Sequence, residues 1–308
     1  MFKKLASFGV SLSLAAGLLS GCGSAKDDNE SKSAAYVPKE LTVQFVPSSN
    51  AGTLEAKAKP LEGLLSKELG IPVKVSVSTN YNTIIEAMAS KKVDVGFLPP
   101  TAYVLAKEKK AAEVILQAQR KGINDDGSQN DQLVDFYNSI FIVKKDSNIN
   151  SIADLKGKKI AFQDVTSSAG YVWPAAKLME NNIDPQKDVQ GVNIKGHDQA
   201  VISLLNGDVD AAVVFQDARN IVKADYPKVF DDTKVIDKTE AIPNDTISVR
   251  SDMDKDWQKK LQDAFINIGK SDEGHKIISE IYTHEGYVVS DDSKFDIVRE
   301  YSKKVKTE

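Results

Sequence analysis

The stretch Asp164-Val165-Thr166-Ser167-Ser168-Ala169-Gly170-Tyr171 follows an apolar, strand-like run, Lys159–Phe162, and opens a helix-like run that continues to Asn181. The first amides of a helix have no partner within the helix, and the helix dipole places positive partial charge at the same end. Three consecutive hydroxyl residues add further donors there, so the stretch predicts a pocket for an oxyanion. Ser and Thr are also preferred capping residues, so one hydroxyl alone would indicate only a cap.

The N-terminus has the pattern of a bacterial lipoprotein. A basic start, Met1-Phe2-Lys3-Lys4, precedes an apolar run from Leu5 to Leu19, and Leu19-Ser20-Gly21-Cys22 resembles the lipobox. The apolar run is short for a membrane span. We therefore expect a signal peptide over residues 1–21 and a lipid anchor on Cys22, at the extracytoplasmic face of the cell membrane. An ordinary signal followed by an unrelated cysteine is the alternative.

Cysteine content and charge exclude several classes of protein. Cys22 is the only cysteine, so neither a disulfide framework nor a thiolate metal site is expected, and no cofactor is predicted. After Lys3 and Lys4 leave with the signal, 38 of the 40 basic residues remain against 44 acidic ones, a formal charge of −6. A mildly acidic chain without a basic cluster is a poor nucleic-acid binder. Residues 22–36 are small, polar and charged, which is typical of a flexible tether.

Strand-like and helix-like runs alternate through the rest of the chain, which predicts parallel βαβ units. About 270 residues follow the tether, enough for two lobes with separate cores. We expect residues 37–137 and 246–308 to form lobe 1 and residues 138–245 to form lobe 2. The segment Lys121–Asn130 is predicted to be a polar loop. The predicted strands are 41–46, 73–77, 93–98, 114–119, 137–143, 159–163, 189–194 and 210–215.

The two predicted lobes repeat one another with an offset of 116 residues, as from Asp94 to Asp210. Open α/β sheets bind ligands at the carboxyl ends of their strands, so equivalent loops of the two lobes are expected to face one site. Chance alignment of βαβ units is the alternative. At the same offset Tyr81 corresponds to His197 and Thr101 to Asp217, while Phe45 falls near Phe162 and Ser48-Ser49-Asn50 near Thr166.

Four stretches resemble the substrate-binding proteins of phosphate, phosphite and phosphonate ABC importers, often called PhnD-like proteins. They are Lys59-Pro60-Leu61, Lys92–Pro100, Asp164–Gly170 and Ile242–Thr246, and the similarity covers most of residues 40 to 300. The resemblance implies an α/β, two-lobed periplasmic-binding-protein-like fold of type II, in which each lobe is a mostly parallel sheet flanked by helices and a hinge joins the lobes. It also implies a monomer that performs no chemistry, binds a small phosphorus oxyanion and delivers it to a membrane permease with its ATPase.

Carried over residue by residue, the resemblance implies a binding set drawn from both lobes. The three consecutive hydroxyl residues would hold the phosphorus oxygens and His197 would donate beside them, while two tyrosines reach in from the other lobe. Asp217 and Asp245 correspond to acidic positions that meet the ligand's amine in aminophosphonate binders, although some relatives have glutamate at the first. The full predicted set is Tyr81, Thr101, Tyr137, Thr166, Ser167, Ser168, His197, Asp217 and Asp245.

An anion held by hydroxyls, backbone amides and a histidine needs no Arg or Lys, and none is expected at the contact positions. A carboxylate beside a bound anion is costly unless it faces a cation or accepts a proton. The two aspartates therefore favour a ligand with an amine, or a protonated oxyanion over sulfate. His275 and His284 are expected at the surface.

Other interpretations remain open at this point. His197 could serve only as a helix cap, the tyrosines could belong to the core, and Asp245 could make a turn. A binding protein for a sulfonate or a thiamine precursor would share the architecture without the paired acids. A hydrolase could use Ser167, His197 and Asp245 as a triad, although no Gly-x-Ser-x-Gly motif is present. An extracellular sensor or scaffold that binds a partner protein is the remaining class.

Overall fold

The computed structural model describes residues 35–124, 126–216 and 218–305. The predicted signal peptide, the predicted lipidation residue Cys22, most of the tether and the candidate site residue Asp217 lie outside the described residues. Across the described ranges, none of the helices combines the length and the apolar character that a bilayer span requires.

Strands and helices alternate along the described chain, as the sequence predicts. The strands are β1 (Leu41–Phe45), β2 (Val73–Val77), β3 (Val95–Leu98), β4 (Ala112–Ile123), β5 (Gln129–Val134), β6 (Phe136–Tyr137), β7 (Ser139–Lys144), β8 (Lys159–Phe162), β9 (Gln190–Asn193), β10 (Ala211–Phe215), β11 (Thr233–Lys238), β12 (Ile242–Pro243), β13 (Thr246–Arg250) and β14 (Gly286–Val289).

The α-helices cover the two large sheets. They are α1 (Ala51–Ala58), α2 (Leu61–Leu69), α3 (Tyr81–Ala89), α4 (Pro100–Glu108), α5 (Trp173–Glu180), α6 (His197–Asn206), α7 (Ala218–Val222), α8 (Val229–Asp232), α9 (Lys255–Lys270), α10 (Asp272–Tyr282) and α11 (Asp296–Val305). A π-helical turn, Ser168–Val172, precedes α5, and short 3₁₀ turns occupy Ile152–Leu155 and Asp292–Phe295.

The first sheet joins a parallel half to an antiparallel half. In the parallel half, β1 lies between β2 and β3, and Val43 pairs with both Val75 and Val95. The antiparallel half continues through β13 and β4 to β14, and β5 pairs with the outer part of β4. The predicted βαβ units therefore account for β1 to β3, and the later strands of the chain complete the sheet from the other side.

The second sheet has the same plan on a smaller scale. Its order is β11-β7-β10-β8-β9, with β8 parallel to both β9 and β10 and with β7 antiparallel to β10 and β11. Each sheet has its own apolar core. Leu61, Leu65 and Leu69 of α2 pack with Leu261 and Phe265 of α9 on the first sheet. On the second sheet, the core is formed by residues such as Ile140, Ile142, Val201, Leu204 and Val214.

The repeat predicted from the sequence is present in the backbone hydrogen bonds. The amide of Thr42 in β1 donates to Asp94 Oδ2 at 2.8 Å, and the amide of Lys159 in β8 donates to Asp210 Oδ2 at the same distance. These two aspartates are the ones that the offset of 116 residues relates. The loops at the carboxyl ends of β1 and β8 are therefore equivalent positions of two similar units.

Contacts at a strand pair and at the C-terminal helix connect the parts of the described chain that carry the two sheets. The short strands β6 and β12 pair with each other, Tyr137 opposite Ile242, where the chain leaves the first sheet and later returns to it. At the C-terminus, Tyr301 of α11 stacks on Trp173 of α5, with 4.5 Å between ring centroids and 6° between ring planes.

The predicted polar loop Lys121–Asn130 is mostly wrong. The strand β4 continues to Ile123 and β5 begins at Gln129, so only residues 124 and 126–128 of the described chain lie between the two strands. Its polar composition led to the error, since β5 is largely exposed to solvent and carries few apolar residues. Because β4 extends this far, Arg120 lies within the strand and pairs with Val134 of β5.

Candidate functional site

A cavity of about 310 Å³ lies between the two sheets, at the carboxyl ends of their parallel strands. Several of its lining residues stand at helix starts: Tyr81 begins α3, His197 begins α6, and Ser167 caps the π-helical turn. Ser48 and Ser49 line it just before α1. Because the helix dipole places positive partial charge at a helix start, this arrangement favours an anion.

The second-sheet side of the cavity is built from the loop after β8. Ser167 is 2 % exposed and its side chain accepts a hydrogen bond from the amide of Gly170 at 3.1 Å, so the hydroxyl hydrogen stays available for another acceptor. A Cβ on Gly170 would lie 2.2 Å from Gln163 Oε1 and 2.6 Å from Gln163 Cβ. Only glycine therefore fits between the end of β8 and the turn that presents Ser167.

The other two predicted hydroxyl residues of this loop have structural partners. Ser168 is fully buried and its hydroxyl meets the amide of Thr101 at 3.0 Å and the Thr101 hydroxyl at 2.8 Å. The amide and hydroxyl of Thr166 both donate to Asp164 Oδ1, at 3.0 and 2.8 Å. Neither Thr166, Ser168 nor Thr101 is among the described residues that line the cavity. Ser168 and Thr101 instead link the two sides of the site.

His197 lines the cavity as a neutral ring. Burial lowers the pKa of His197 to about 3, so the ring carries no charge at neutral pH. Its Nδ1 accepts a hydrogen bond from the amide of Phe215 at 3.3 Å, which places the ring proton on Nε2. The preceding Gly196 has φ +94°, and a Cβ there would meet Asp198 Oδ1 at 2.5 Å and the Ser49 backbone at 3.2 Å. Glycine at this position lets α6 start close to the loop after β1.

Tyrosines form the opposite wall. Tyr81 and Tyr137 both line the cavity and are 4 % and 9 % exposed. Burial raises the pKa of both Tyr81 and Tyr137. The hydroxyl of Tyr282 donates to the carbonyl of Val46 at 2.6 Å. These phenols remain protonated at physiological pH, so Tyr81 and Tyr137 can donate to an anion.

Arg120 lines the cavity, which corrects the expectation that the site holds no Arg or Lys. Its Nη2 donates to Asp245 Oδ2 at 2.7 Å and its Nε to Asn244 Oδ1 at 2.8 Å. Although burial raises the pKa of Asp245, the charge of Arg120 and a hydrogen bond from His284 hold it below its ordinary value. Asp245 is therefore an ionised partner of Arg120. Sequence reasoning missed Arg120 because β4 was predicted to end one residue before it.

The expectation that His284 lies at the surface is also wrong. The ring is 1 % exposed, and its Nε2 lies 3.4 Å from the carboxylate of Asp245. Burial lowers the pKa of His284. His275 has a side chain that is 43 % exposed and lies 2.9 Å from Glu285, in keeping with the surface position expected for it.

The two sides of the cavity are in contact. The amide of His197 donates to the carbonyl of Ser48 at 2.9 Å, and the amide of Asn50 donates to Asp198 Oδ2 at 3.2 Å. Together with the pairing of Thr101 and Ser168, these bonds join loops of the first sheet to loops of the second around the cavity. These bonds hold the two sides of the cavity against each other in this structure.

The geometry does not assemble a hydrolytic triad. Asp245 bonds to Arg120 and His284, while Nδ1 of His197 accepts from a backbone amide instead of donating to a carboxylate. A histidine whose pKa lies near 3 is a weak general base at neutral pH. Within the described residues no cluster of three or more metal-ligating side chains is present.

Comparison with known proteins identifies the type of chain. A family model described as the periplasmic substrate-binding protein of the phosphonate ABC transporter matches residues 43–295. The phosphate-import protein PhnD of Mycolicibacterium smegmatis is 31% identical over 206 residues, which are 64% of this chain and 62% of that protein. The phosphonates-binding periplasmic protein of Escherichia coli is 27% identical over 248 residues, covering 79% of this chain and 70% of that protein.

Solved structures show the fold independently. The structure of PhnD1 from Prochlorococcus marinus in complex with methylphosphonate superposes with a TM-score of 0.74 at 19% identity, covering 87% of this chain and 99% of that one. At this identity the likeness concerns the fold alone, which is the predicted type II periplasmic-binding-protein fold.

Proposed function

Because this chain belongs to the family of periplasmic substrate-binding proteins of phosphonate ABC transporters, we propose that it binds a phosphonate, phosphite or phosphate oxyanion in the cavity between its two sheets. The observation that carries the proposal is the convergence on one cavity of Ser167, Tyr81 and His197, which stand at helix starts, and of Tyr137 from β6. All four side chains can donate a hydrogen bond, and none of them carries a charge at neutral pH. The family does not consist of enzymes, and no chemical step is proposed.

In this proposal each side contributes donors to the anion. Ser167 and Nε2 of His197 donate from the second-sheet side, and the Tyr81 and Tyr137 hydroxyls donate from the first-sheet side. Neutral donors suit an anion that must later be released, because they bind it without a full ion pair. Thr166, Ser168 and Thr101 act indirectly in this scheme, by holding the loop and the closed arrangement.

Binding is coupled to closure of two lobes, for which we propose the boundaries 37–137 with 246–308, and 138–245. The paired strands β6 and β12 support a hinge there, since both crossings of the chain meet in that ladder. The bonds from His197 to Ser48 and from Asn50 to Asp198 would form on closure and break on release. The closed protein would then deliver its ligand to a permease and its ATPase in the membrane.

Thermal unfolding in the presence of candidate ligands tests the proposal. The chain starting after Cys22 is unfolded alone and with phosphate, phosphite, methylphosphonate or sulfate. A ligand at about one hundred times its dissociation constant stabilises the folded state by about 2.7 kcal/mol. We expect stabilisation by at least one phosphorus compound and little or none by sulfate. Stabilisation by sulfate alone, or by none of the compounds, would refute the proposal.

We further propose that the protein is a monomer anchored at the extracytoplasmic face of the membrane through a lipid on Cys22. The support is the lipobox-like sequence Leu19-Ser20-Gly21-Cys22. Metabolic labelling with a radioactive fatty acid tests the anchor, with Cys22→Ser as the control. Label on the wild-type chain and none on the variant supports the anchor, and equal labelling of the two chains contradicts it.

A further inference from the structure

Among the described residues that line the cavity, Asp245 carries the one buried carboxylate. Arg120 forms an ion pair with it. The other described charged residues of the lining, Lys57 and Glu280, are exposed at its mouth. The side chains of Arg120 and Asp245 are only 12 % and 13 % exposed, and Arg120 Nη2 lies 2.7 Å from Asp245 Oδ2. The same carboxylate oxygen lies 3.4 Å from Nε2 of His284.

Four further contacts fix the guanidinium of Arg120 in this position. Its Nε donates to Asn244 Oδ1 at 2.8 Å and its Nη1 to Thr283 Oγ1 at 3.2 Å. The guanidinium carbon of Arg120, Cζ, lies 5.0 Å from the ring centre of Tyr137 and 5.6 Å from that of Phe215. Cations over aromatic faces are attracted by the ring quadrupole. These partners hold the guanidinium in place through three of its five N–H groups before any ligand enters.

Exchanging Asp245 for a ligand would cost Arg120 a buried ion pair. Moving the guanidinium away would leave Asp245 buried beside a neutral His284, and breaking a buried ion pair by removing one partner is strongly destabilising. A ligand that carries an ammonium group would meet the positive charge of Arg120 and a carboxylate that is already neutralised. Burying an ammonium without a free partner is costly.

The remaining surface of the cavity suits an uncharged group. Val46, Tyr137, Phe215, Ile221 and Ile281 all contribute to its lining. These side chains offer contact to an alkyl substituent or to the hydrogen or hydroxyl of a small oxyanion, and they offer no counter-charge to an ammonium.

We propose that Arg120 is a specificity-determining residue that withholds Asp245 from the ligand, so that the site takes phosphorus oxyanions whose remaining part is uncharged. This inference rests on the proposed function, since it concerns the same cavity. It departs from the expectation, drawn from the resemblance, that Asp245 meets an amine.

Two isosteric ligands test the proposal by isothermal titration calorimetry on the full chain. 2-Aminoethylphosphonate and n-propylphosphonate have the same shape and differ in an ammonium against a methyl group. We expect the wild type to bind propylphosphonate about tenfold or more tightly than aminoethylphosphonate, a difference of about 1.4 kcal/mol. Tighter binding of aminoethylphosphonate by the wild type would overturn the proposal.

Substitution of Arg120 should reverse this preference. In Arg120→Gln the carboxylate of Asp245 keeps a hydrogen-bond donor but loses its counter-charge, so aminoethylphosphonate should become the tighter ligand of the two. Arg120→Lys, which keeps the positive charge, should retain the wild-type order. In the double variant Arg120→Gln with Asp245→Asn, the gain for aminoethylphosphonate should disappear. An unchanged order in a folded Arg120→Gln protein contradicts the proposal.

Two further variants serve as a control for Arg120→Gln and as a replacement for it. Arg299→Gln removes an arginine that pairs with Asp292 and Asp296 outside the cavity, and it should leave the ratio of the two affinities unchanged. If Arg120→Gln does not fold, Asp245→Asn replaces it: a selective loss of aminoethylphosphonate binding in that variant would show that Asp245 meets the amine and would overturn the proposal. An unchanged ratio of the affinities for aminoethylphosphonate and propylphosphonate in Asp245→Asn supports it.

Failure of the specificity proposal and failure of the proposed function give different results. If phosphate, phosphite and methylphosphonate bind but aminoethylphosphonate binds better than propylphosphonate, only the role of Arg120 is wrong. If the wild type binds the small compounds and neither of the isosteric pair, acquisition of aminoethylphosphonate binding by Arg120→Gln supports the role and its absence refutes it. If no phosphorus compound binds, the proposed function itself fails, and the role of Arg120 fails with it.

Discussion

The loops after β1 and β8 have the same place in two similar units and present different chemistry to the cavity. The anchoring bonds are shared, from Thr42 to Asp94 and from Lys159 to Asp210. After β8, however, the chain makes a π-helical turn that presents Ser167, whereas after β1 it enters an ordinary helix capped by the Asn50 side chain. Irregular π-helical turns are frequent at functional sites.

The equivalent helix starts differ in the same way. Tyr81 begins α3 and His197 begins α6, so one fold position provides a long phenol on one side and a compact neutral imidazole on the other. The first-sheet side also contributes the only ion pair among the described lining residues, Arg120 with Asp245. Under the proposed function, the second-sheet side would bind the anion through Ser167 and His197, and the first-sheet side would add the two tyrosine hydroxyls and the ion pair. Three sets of substitutions test this division.

The largest effect is expected from Gly170→Ala on the second-sheet side. The added Cβ would collide with the Gln163 side chain, whose Oε1 and Cβ lie 2.2 and 2.6 Å from its position. The turn must shift, which we expect to cost about 2 kcal/mol of unfolding free energy and to weaken methylphosphonate binding about a hundredfold or more. Denaturant unfolding and titration calorimetry measure the two effects.

Gly63→Ala is the matched control, because a Cβ at Gly63 in α2 has no atom within 4 Å. That variant should bind as the wild type does, and its stability should stay the same or rise by about 0.5–1 kcal/mol. Wild-type affinity in Gly170→Ala would show that the exact position of Ser167 is unimportant for binding.

An intermediate effect is expected at His197, and it depends on pH. The folded-state pKa is about 3 against an ordinary value of 6.5, so the unfolded chain takes up the proton first as the pH falls. The stability that the neutral ring provides is therefore complete above pH 6.5 and decreases toward pH 3, by a few kcal/mol at most, at about 1.36 kcal/mol per pKa unit. Unfolding of the wild type and of His197→Asn between pH 7 and pH 4 measures the difference.

In His197→Asn this part of the pH dependence should be absent, so the two stability curves should approach each other in acid. Tyr81→Phe, at the equivalent position of the other unit, should leave the pH dependence over this range unchanged. Parallel curves for the wild type and His197→Asn would contradict a buried neutral histidine.

The smallest effect is expected where the two sides meet. Thr101→Val removes the hydrogen bond between the two hydroxyls, which are 2.8 Å apart, and should weaken ligand binding by about 1 kcal/mol. Ser168→Ala removes that bond and the one that Ser168 accepts from the Thr101 amide, so the double variant should lose little more than Ser168→Ala alone. Fully additive losses in a calorimetric double-mutant cycle would indicate that the residues act separately.

The sequence predicts the parallel halves of both sheets, the repeat and the loop after β8, because these features follow from local periodicity and from hydroxyl residues at a helix start. It does not predict the ion pair of Arg120 and Asp245, which forms between neighbouring strands 125 residues apart in the chain. Nor does it reveal that His284 is buried, since a single histidine near a helix end carries no periodic signal. The charged groups of the site therefore depend on contacts between distant parts of the chain, and local sequence patterns do not show such contacts.

A crystal structure of the protein with bound methylphosphonate tests the central claim most directly. We predict the phosphonate between the two sheets, with its oxygens within hydrogen-bond distance of Ser167 Oγ, His197 Nε2 and the Tyr81 hydroxyl, and with Arg120 still bonded to Asp245. Methylphosphonate bound at another place, or bound in the cavity without contact to Ser167 and His197, would contradict the account.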